Sequence, residues 1–261
     1  MGGLMSFWDH LEVLRGVVIK VIAVVVVCGV VAFLFKTPVF DMVLAPKEAD
    51  FVTYRLLHRV SSLCGEDMEP FYVQLVSTGL AQQFVIHVKT ALCVGAICAS
   101  PYVVYQLFRF VSPALYERER HYAVRIVASG YLMFLLGAAV SYFLVFPLTF
   151  RFLGTYQVSG EVSNMITLDS YISTLMTMTL SMGIVFEIPV VAWLLAHAGL
   201  LSSSFMRRYR RHAIVAILVV AAVITPTSDV FTLLVVSMPM YVLYELSIWL
   251  VKSTAESRKT S

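Results

Sequence analysis

One carboxylate, Glu187, stands alone in an apolar stretch from Tyr171 to Leu201 that holds no other formal charge. At 1.5 Å per residue such a stretch outreaches the roughly 30 Å of hydrocarbon in a bilayer, so it reads as a membrane span. A charge at mid-membrane costs at least about 2.5 to 3.5 kcal/mol on insertion scales. Glu187 therefore either faces a bundle interior or water-filled cavity in a functional role, or is a neutral carboxyl that packs between helices.

The rest of the chain agrees with a membrane solvent. Its 261 residues are 59% hydrophobic and 13% charged, with mean hydropathy +0.85, which excludes a soluble globular fold. Spans are expected at about Val17 to Phe35, Val85 to Leu107, Val124 to Phe146, Tyr171 to Ala198, Ala213 to Thr225 and Val230 to Val251. No run alternates like a barrel strand, which leaves helices as the spanning element. The expected fold is all-α, one integral membrane domain with six transmembrane helices, spans five and six short and both termini cytoplasmic. The thirteen residues of span five cover only about 20 Å, short enough to thin the bilayer or recess the hairpin.

Charge sets the orientation. Twelve lysines and arginines lie in the N-terminal end, the 108–125 and 202–212 loops and the tail, which should face the cytoplasm. The opposite side has Lys36, Lys47, Arg55, Arg59 and Arg151 balanced by acids. Lys20 and Lys89, inside spans, are expected to snorkel toward headgroups. Cys28, Cys93 and Cys98 fall in spans and Cys64 in a loop, so no disulfide framework or zinc site is visible. No catalytic, cofactor-binding or nucleic-acid motif appears, and an enzyme is not expected.

Local signals add detail. Ser6 and Asp9 have capping-box-like spacing before span one. In the long 36–84 connection, Val52, Leu56, Val60 and Leu63 share one helical face, the pattern of an interfacial helix on the outer side. Pro101, Pro147, Pro189 and Pro239 should bend or end spans two, three, four and six. Asp229, in the short turn after span five, is placed to cap span six.

Three segments in order resemble the TatC family, the multispan subunit of the twin-arginine protein translocase. His10-Leu11-Glu12-Val13-Leu14-Arg15 is similar to the family's HLxELR element, and Phe110-Val111-Ser112-Pro113-Ala114-Leu115-Tyr116-Glu117-Arg118-Glu119-Arg120 to its FxxPxLxxxER loop. The turn from Thr225-Pro226 to Asp229, followed by Pro239-Met240-Tyr241-Val242-Leu243-Tyr244-Glu245, is the third. Pro46, Tyr142 with Phe146-Pro147, and Phe186-Glu187-Ile188-Pro189 support it. The resemblance implies a receptor for twin-arginine signal peptides in the bacterial cytoplasmic (inner) membrane. With single-span TatA- and TatB-type partners, and as a homo-oligomer within that complex, it would export folded proteins using the proton motive force.

Carried over residue by residue, the resemblance implies a signal-peptide site of Glu119, Glu12, Arg15, Phe110, Pro113, Leu115, Tyr116 and Arg120. It selects Glu119 over Glu117, and arginines of a signal could engage either carboxylate bidentately. It also implies an intramembrane polar or partner site of Glu187, Tyr142, Thr225 and Asp229, with Pro46 and Pro147 structural. Two positions depart from the pattern. Val13 replaces the usual second acid, so Glu12 either turns to the same ligand or pairs with Arg15. Leu233 stands where relatives often carry Gln. The alternatives are a proton-coupled solute carrier using Glu187, which lacks repeat symmetry, and an insertase-type scaffold with Lys20 or Lys89 as its buried cation.

Overall fold

Lipid offers no partner to a backbone N–H or C=O, so even the valine-rich first span, poor in helix propensity, must close its hydrogen bonds as a helix. The computed structural model describes residues 7–63, 73–111, 123–157, 159, 164–225 and 229–259. The chain begins with α1 (Phe7–Leu34), α2 (Lys36–Leu44), a 3-10 turn at Ala45–Lys47 and α3 (Val52–Leu63). Strand β1 (Leu75–Val76) precedes α4 (Gln82–Val111), and α5 (Ala123–Val140) runs through a π-helical turn at Ser141–Val145 into α6 (Phe146–Thr155). Strand β2 (Ile166–Thr167) leads to α7 (Leu168–Val185), α8 (Ile188–His197), α9 (Ser203–Arg208), α10 (Arg210–Ile224) and α11 (Val230–Lys259).

Five stretches are long and apolar enough to cross a membrane: Leu11–Leu34, Gln82–Phe110, Ile126–Thr155, Leu168–His197 and Val230–Thr254. The protein is a mostly helical, polytopic membrane protein. Helix α10 has 15 residues and falls short of that length, as expected of span five. Span six corrects the expectation, because α11 is a 30-residue helix whose apolar part alone exceeds 20 residues. Pro239 lies inside it without ending it. The all-α expectation meets one exception, a two-residue parallel ladder pairing Leu75 with Ile166 and Val76 with Thr167. It lets two extended connections satisfy each other's backbone groups.

At three prolines a hydroxyl donates to the carbonyl four residues earlier, whose usual i+4 N–H partner the proline lacks. For Pro147 that carbonyl belongs to Phe143, and the Thr53 hydroxyl donates to it. For Pro46 it belongs to Met42, which takes the Tyr142 hydroxyl. For Pro101 it belongs to Ile97, bonded by Ser100 at 2.7 Å. Tyr54 adds bonds to the carbonyls of Pro46 (3.0 Å) and Pro147 (3.2 Å), and Tyr171 one to Val43 (3.1 Å). Burial pushes the Tyr54 phenol up against the opposing pull of Arg151, so it stays a donor. These contacts lock α2, the 3-10 turn and α3 onto α5, α6 and α7 as a cap at one end of the bundle. Pro46 and Pro147 are both buried within it.

Helix α3 turns Thr53 and Tyr54 inward and leaves Val52 and Leu56 exposed, so the apolar stripe seen in the sequence points away from the bundle. Lys89, near the start of α4, reaches Asp169 in the first turn of α7 at 3.0 Å, a half-exposed pair that ties the two helix starts together. The main core lies toward the cap, where Val145, Phe146, Tyr171, Met178, Met182, Val236 and Met240 are all nearly or fully buried. Helix α1 stands outside it, packed along α4 with Val18, Ile22, Val26, Val27 and Val30 exposed. There Gly95 meets Gly29 so closely that a Cβ would come 2.5 Å from the Gly29 nitrogen.

Thr53→Val should leave the Phe143 carbonyl without its donor and lower stability by about 1 to 3 kcal/mol. Thermal unfolding in detergent measures it. Adding Pro147→Ala restores an N–H four residues on and should recover part of the loss; an unchanged melting temperature in Thr53→Val would contradict the bond's role.

Candidate functional site

Helices α1 and α4 form one wall and α8 and α11 another, with α5 and α7 behind, and the space between them is not filled by the core. It is a groove of about 720 Å³, lined by Val21 and Val25 of α1, Ala96, Ser100, Val103, Val104 and Leu107 of α4, and Phe134 of α5. Leu180 and Ile184 of α7, Ile188, Val191, Ala192 and Leu195 of α8, and Leu201, Met206 and Tyr244 complete it. Glu187 is the acidic residue in this lining.

Glu187 occupies the turn between α7 and α8, where Pro189 falls in the first turn of α8. Its backbone stays bonded, N–H to Ile184 at 3.1 Å and C=O from Val191 at 2.9 Å. Its side chain does not cap α8. The carboxylate lies over Gly130 of α5, where a Cβ would come 3.1 Å from Oε2 and 2.9 Å from Val104 Cγ1. Gly130 thus makes the room this side chain occupies. Oε1 is buried with no hydrogen-bond partner among the described residues, a costly state for an acceptor unless a ligand or water supplies a donor.

The other residues expected beside Glu187 lie elsewhere. From Tyr171, which touches the cap, to Glu187 is sixteen residues of chain, roughly 24 Å along a helix axis. Tyr142 is in the cap, with its ring edge-on to Phe51 at 5.6 Å. Thr225 ends α10, its hydroxyl bonded to the Ala221 carbonyl at 3.0 Å. Asp229 caps α11, accepting from the Thr232 N–H at 2.7 Å. Tyr142, Thr225 and Asp229 each bond a backbone group away from Glu187, so the structure does not gather the four into one polar site.

At the end of the bundle away from the cap, Glu12 and Arg15 are exposed on α1 and make no ion pair with each other. Phe110 stands in the last turn of α4. Pro113, Leu115, Tyr116, Glu117, Glu119 and Arg120 lie outside the described residues, as do Ser6, Cys64 and Pro226, while for Asp9 only the backbone is described. Sequence reasoning missed Glu245, which accepts Arg210 at 2.6 Å and Tyr241 at 3.2 Å and ties α10 to α11. The i, i+4 spacing of Tyr241 and Glu245 beside an arginine-rich loop was the available signal. Tyr244 adds a bond to the Met206 carbonyl at 2.8 Å that holds α9.

The family described as Sec-independent protein translocase protein (TatC) matches residues 9–239. The chain belongs to the TatC family. A TatC of Blattabacterium sp. subsp. Periplaneta americana (strain BPLAN) is 33% identical, the match covering 94% of each chain. The Aquifex aeolicus (strain VF5) TatC is 32% identical over 98% of both. A crystal structure described as the twin arginine translocase receptor TatC superposes with TM-score 0.76 at 31% identity, covering 94% of this chain and 99% of that one. Membership in TatC, a protein translocase family, along nearly the whole chain leaves the solute-carrier alternative without support.

In this TatC-family chain Glu187→Leu removes a buried acceptor, Oε1, that no group among the described residues satisfies. The variant should fold and melt no lower than the parent, with a gain of about 1 kcal/mol or more. A clear drop in melting temperature would mean that the carboxyl holds the helices together.

Proposed function

We propose that this protein is the twin-arginine signal-peptide receptor and core subunit of a translocase that exports folded proteins across the bacterial cytoplasmic membrane on the proton motive force. The observation that carries the reading is the near full-length likeness, in sequence and fold, to a twin-arginine translocase receptor. In this reading α10 is a sixth, recessed span, the chain is one integral membrane domain, and both termini face the cytoplasm with the arginine-rich loops.

Glu119 receives the arginine pair of the signal, with Glu12 as the second acid and Arg15, Phe110, Pro113, Leu115, Tyr116 and Arg120 around them. The exposure of Glu12 and its lack of a bond to Arg15 support this over a local pair. Glu187 and its groove receive a single apolar helix from a TatA- or TatB-type partner, whose polar group would supply the donor that Oε1 lacks. Copies of the chain assemble with these partners in the bilayer.

Each charge-assisted bond of an arginine to a carboxylate contributes roughly 1.5 to 3 kcal/mol. Glu119→Gln should therefore weaken peptide binding about tenfold to a hundredfold, and Glu12→Gln combined with it should lose less than the sum of the single losses. Titration with a twin-arginine peptide in detergent measures both, and parental affinity in Glu119→Gln would sink the assignment. Glu187→Leu should bind peptide as the parent does yet fail to export cargo in vesicles; parental export would leave Glu187 a packing residue.

A further inference from the structure

Between α8 and α10 the chain reverses through Gly199, whose φ of 75° is open to glycine, and the short helix α9. Within six positions this turn gathers Arg207, Arg208, Arg210, Arg211 and His212, all exposed. Among the described residues Glu245 answers Arg210, while Arg207, Arg208 and Arg211 form no ion pair. The segment is held in place: Met206 is buried, its carbonyl takes the Tyr244 hydroxyl, and Ser202 caps α9. Three arginines are thus carried on an anchored turn at one end of the bundle, their charge answered by no carboxylate among the described residues.

Two further features say what matches it. Leu200, Phe205 and Tyr209 are exposed among the arginines, with Phe205 and Tyr209 ring centroids 4.6 Å apart. Apolar and aromatic side chains interleaved with cations suit the boundary between headgroups and acyl chains rather than bulk water. The second is length. After His212, α10 has twelve residues to Ile224, about 18 Å of helix against roughly 30 Å of hydrocarbon. With its far end at the opposite interface, its basic start falls below the ordinary headgroup plane, and guanidinium groups so recessed draw anionic groups inward.

We infer that this turn is a binding site for the headgroup of an anionic phospholipid. Arg207, Arg208 and Arg211 take the phosphate oxygens through charge-assisted, forked bonds, and Leu200 and Phe205 lie against the start of the acyl chains. At the cap end the exposed Arg55 is answered by Asp50 at 3.2 Å, which leaves Arg59 of α3 as a lone exposed arginine rather than a cluster. An acidic protein segment could meet the arginines but would leave the interleaved apolar residues unexplained.

The full chain, reconstituted in nanodiscs of equal parts phosphatidylglycerol and phosphatidylcholine, should retain phosphatidylglycerol preferentially when its bound lipids are counted by native mass spectrometry. The enrichment should fall roughly fivefold for each of Arg207→Gln, Arg208→Gln and Arg211→Gln combined in turn, and should shrink with added salt. The triple lysine variant should keep most of it, and Arg55→Gln should keep all of it. Melting temperatures verify folding, and should the triple glutamine variant unfold, the single Arg208→Gln carries the test. No enrichment in the parent, or equal enrichment in the glutamine variants, overturns the site. So does capture of a soluble poly-glutamate peptide that the triple glutamine variant abolishes while phosphatidylglycerol enrichment persists.

Discussion

A proline in a membrane helix deletes a backbone donor where no water stands in for it, and this fold is organised around the carbonyls left behind. Thr53 serves Phe143, Tyr142 serves Met42 and Ser100 serves Ile97. Two of these bonds join segments distant in the chain, so the same atoms that satisfy the backbone also fix the cap. Tyr171 then anchors the first turn of α7 to that cap through Val43. At its other end α7 breaks at Glu187, so the carboxyl sits on a helix held firmly at one end and bent at the other.

That arrangement explains why the groove stays open. The larger core occupies the cap half, and a smaller cluster of Ala192, Ala196, Met206, Ile248 and Val251 binds α8, α9 and α11 at the opposite end. Between α4 and α8 the larger core supplies no side chain and the smaller cluster only Ala192 and Met206 at the edge, and the walls are almost wholly apolar. Lipid or a partner helix can fill such a space without a hydrophobic driving force, so selectivity rests on shape and on the carboxyl. Gly130 contributes by absence, since any larger residue would meet Glu187.

Much of this was legible in the sequence because apolar length reports directly on a membrane solvent. Val85 to Leu107 lies within α4, the stretch read as span five forms a short helix, and the Asp229 cap emerged as read. The site was less legible, since bonds across long separations leave no periodic trace. Tyr142 read as an intramembrane polar residue, yet its partner Met42 is 100 positions away and is identified only through the proline at 46. Lys89 read as a snorkelling cation, and its ion-pair partner Asp169, 80 positions on, left no trace in the local sequence. The extent of α11 was underestimated because its polar end, past Val251, carries no apolar signal to mark where the helix stops.

Helix α1 makes its one extensive contact with α4, across the Gly29–Gly95 approach, and is otherwise sheathed in exposed valine and isoleucine. A segment so self-sufficient can partition from the translocon as soon as it is synthesised and wait in the lipid. On the proposed reading of α10 as a sixth span it has no such independence, being too short to cross by itself, and would enter as a hairpin with α11. Insertion would then run from the helix that needs no neighbour to the one that cannot enter without one, and Tyr244, the α11 contribution to the groove, would arrive with that last hairpin.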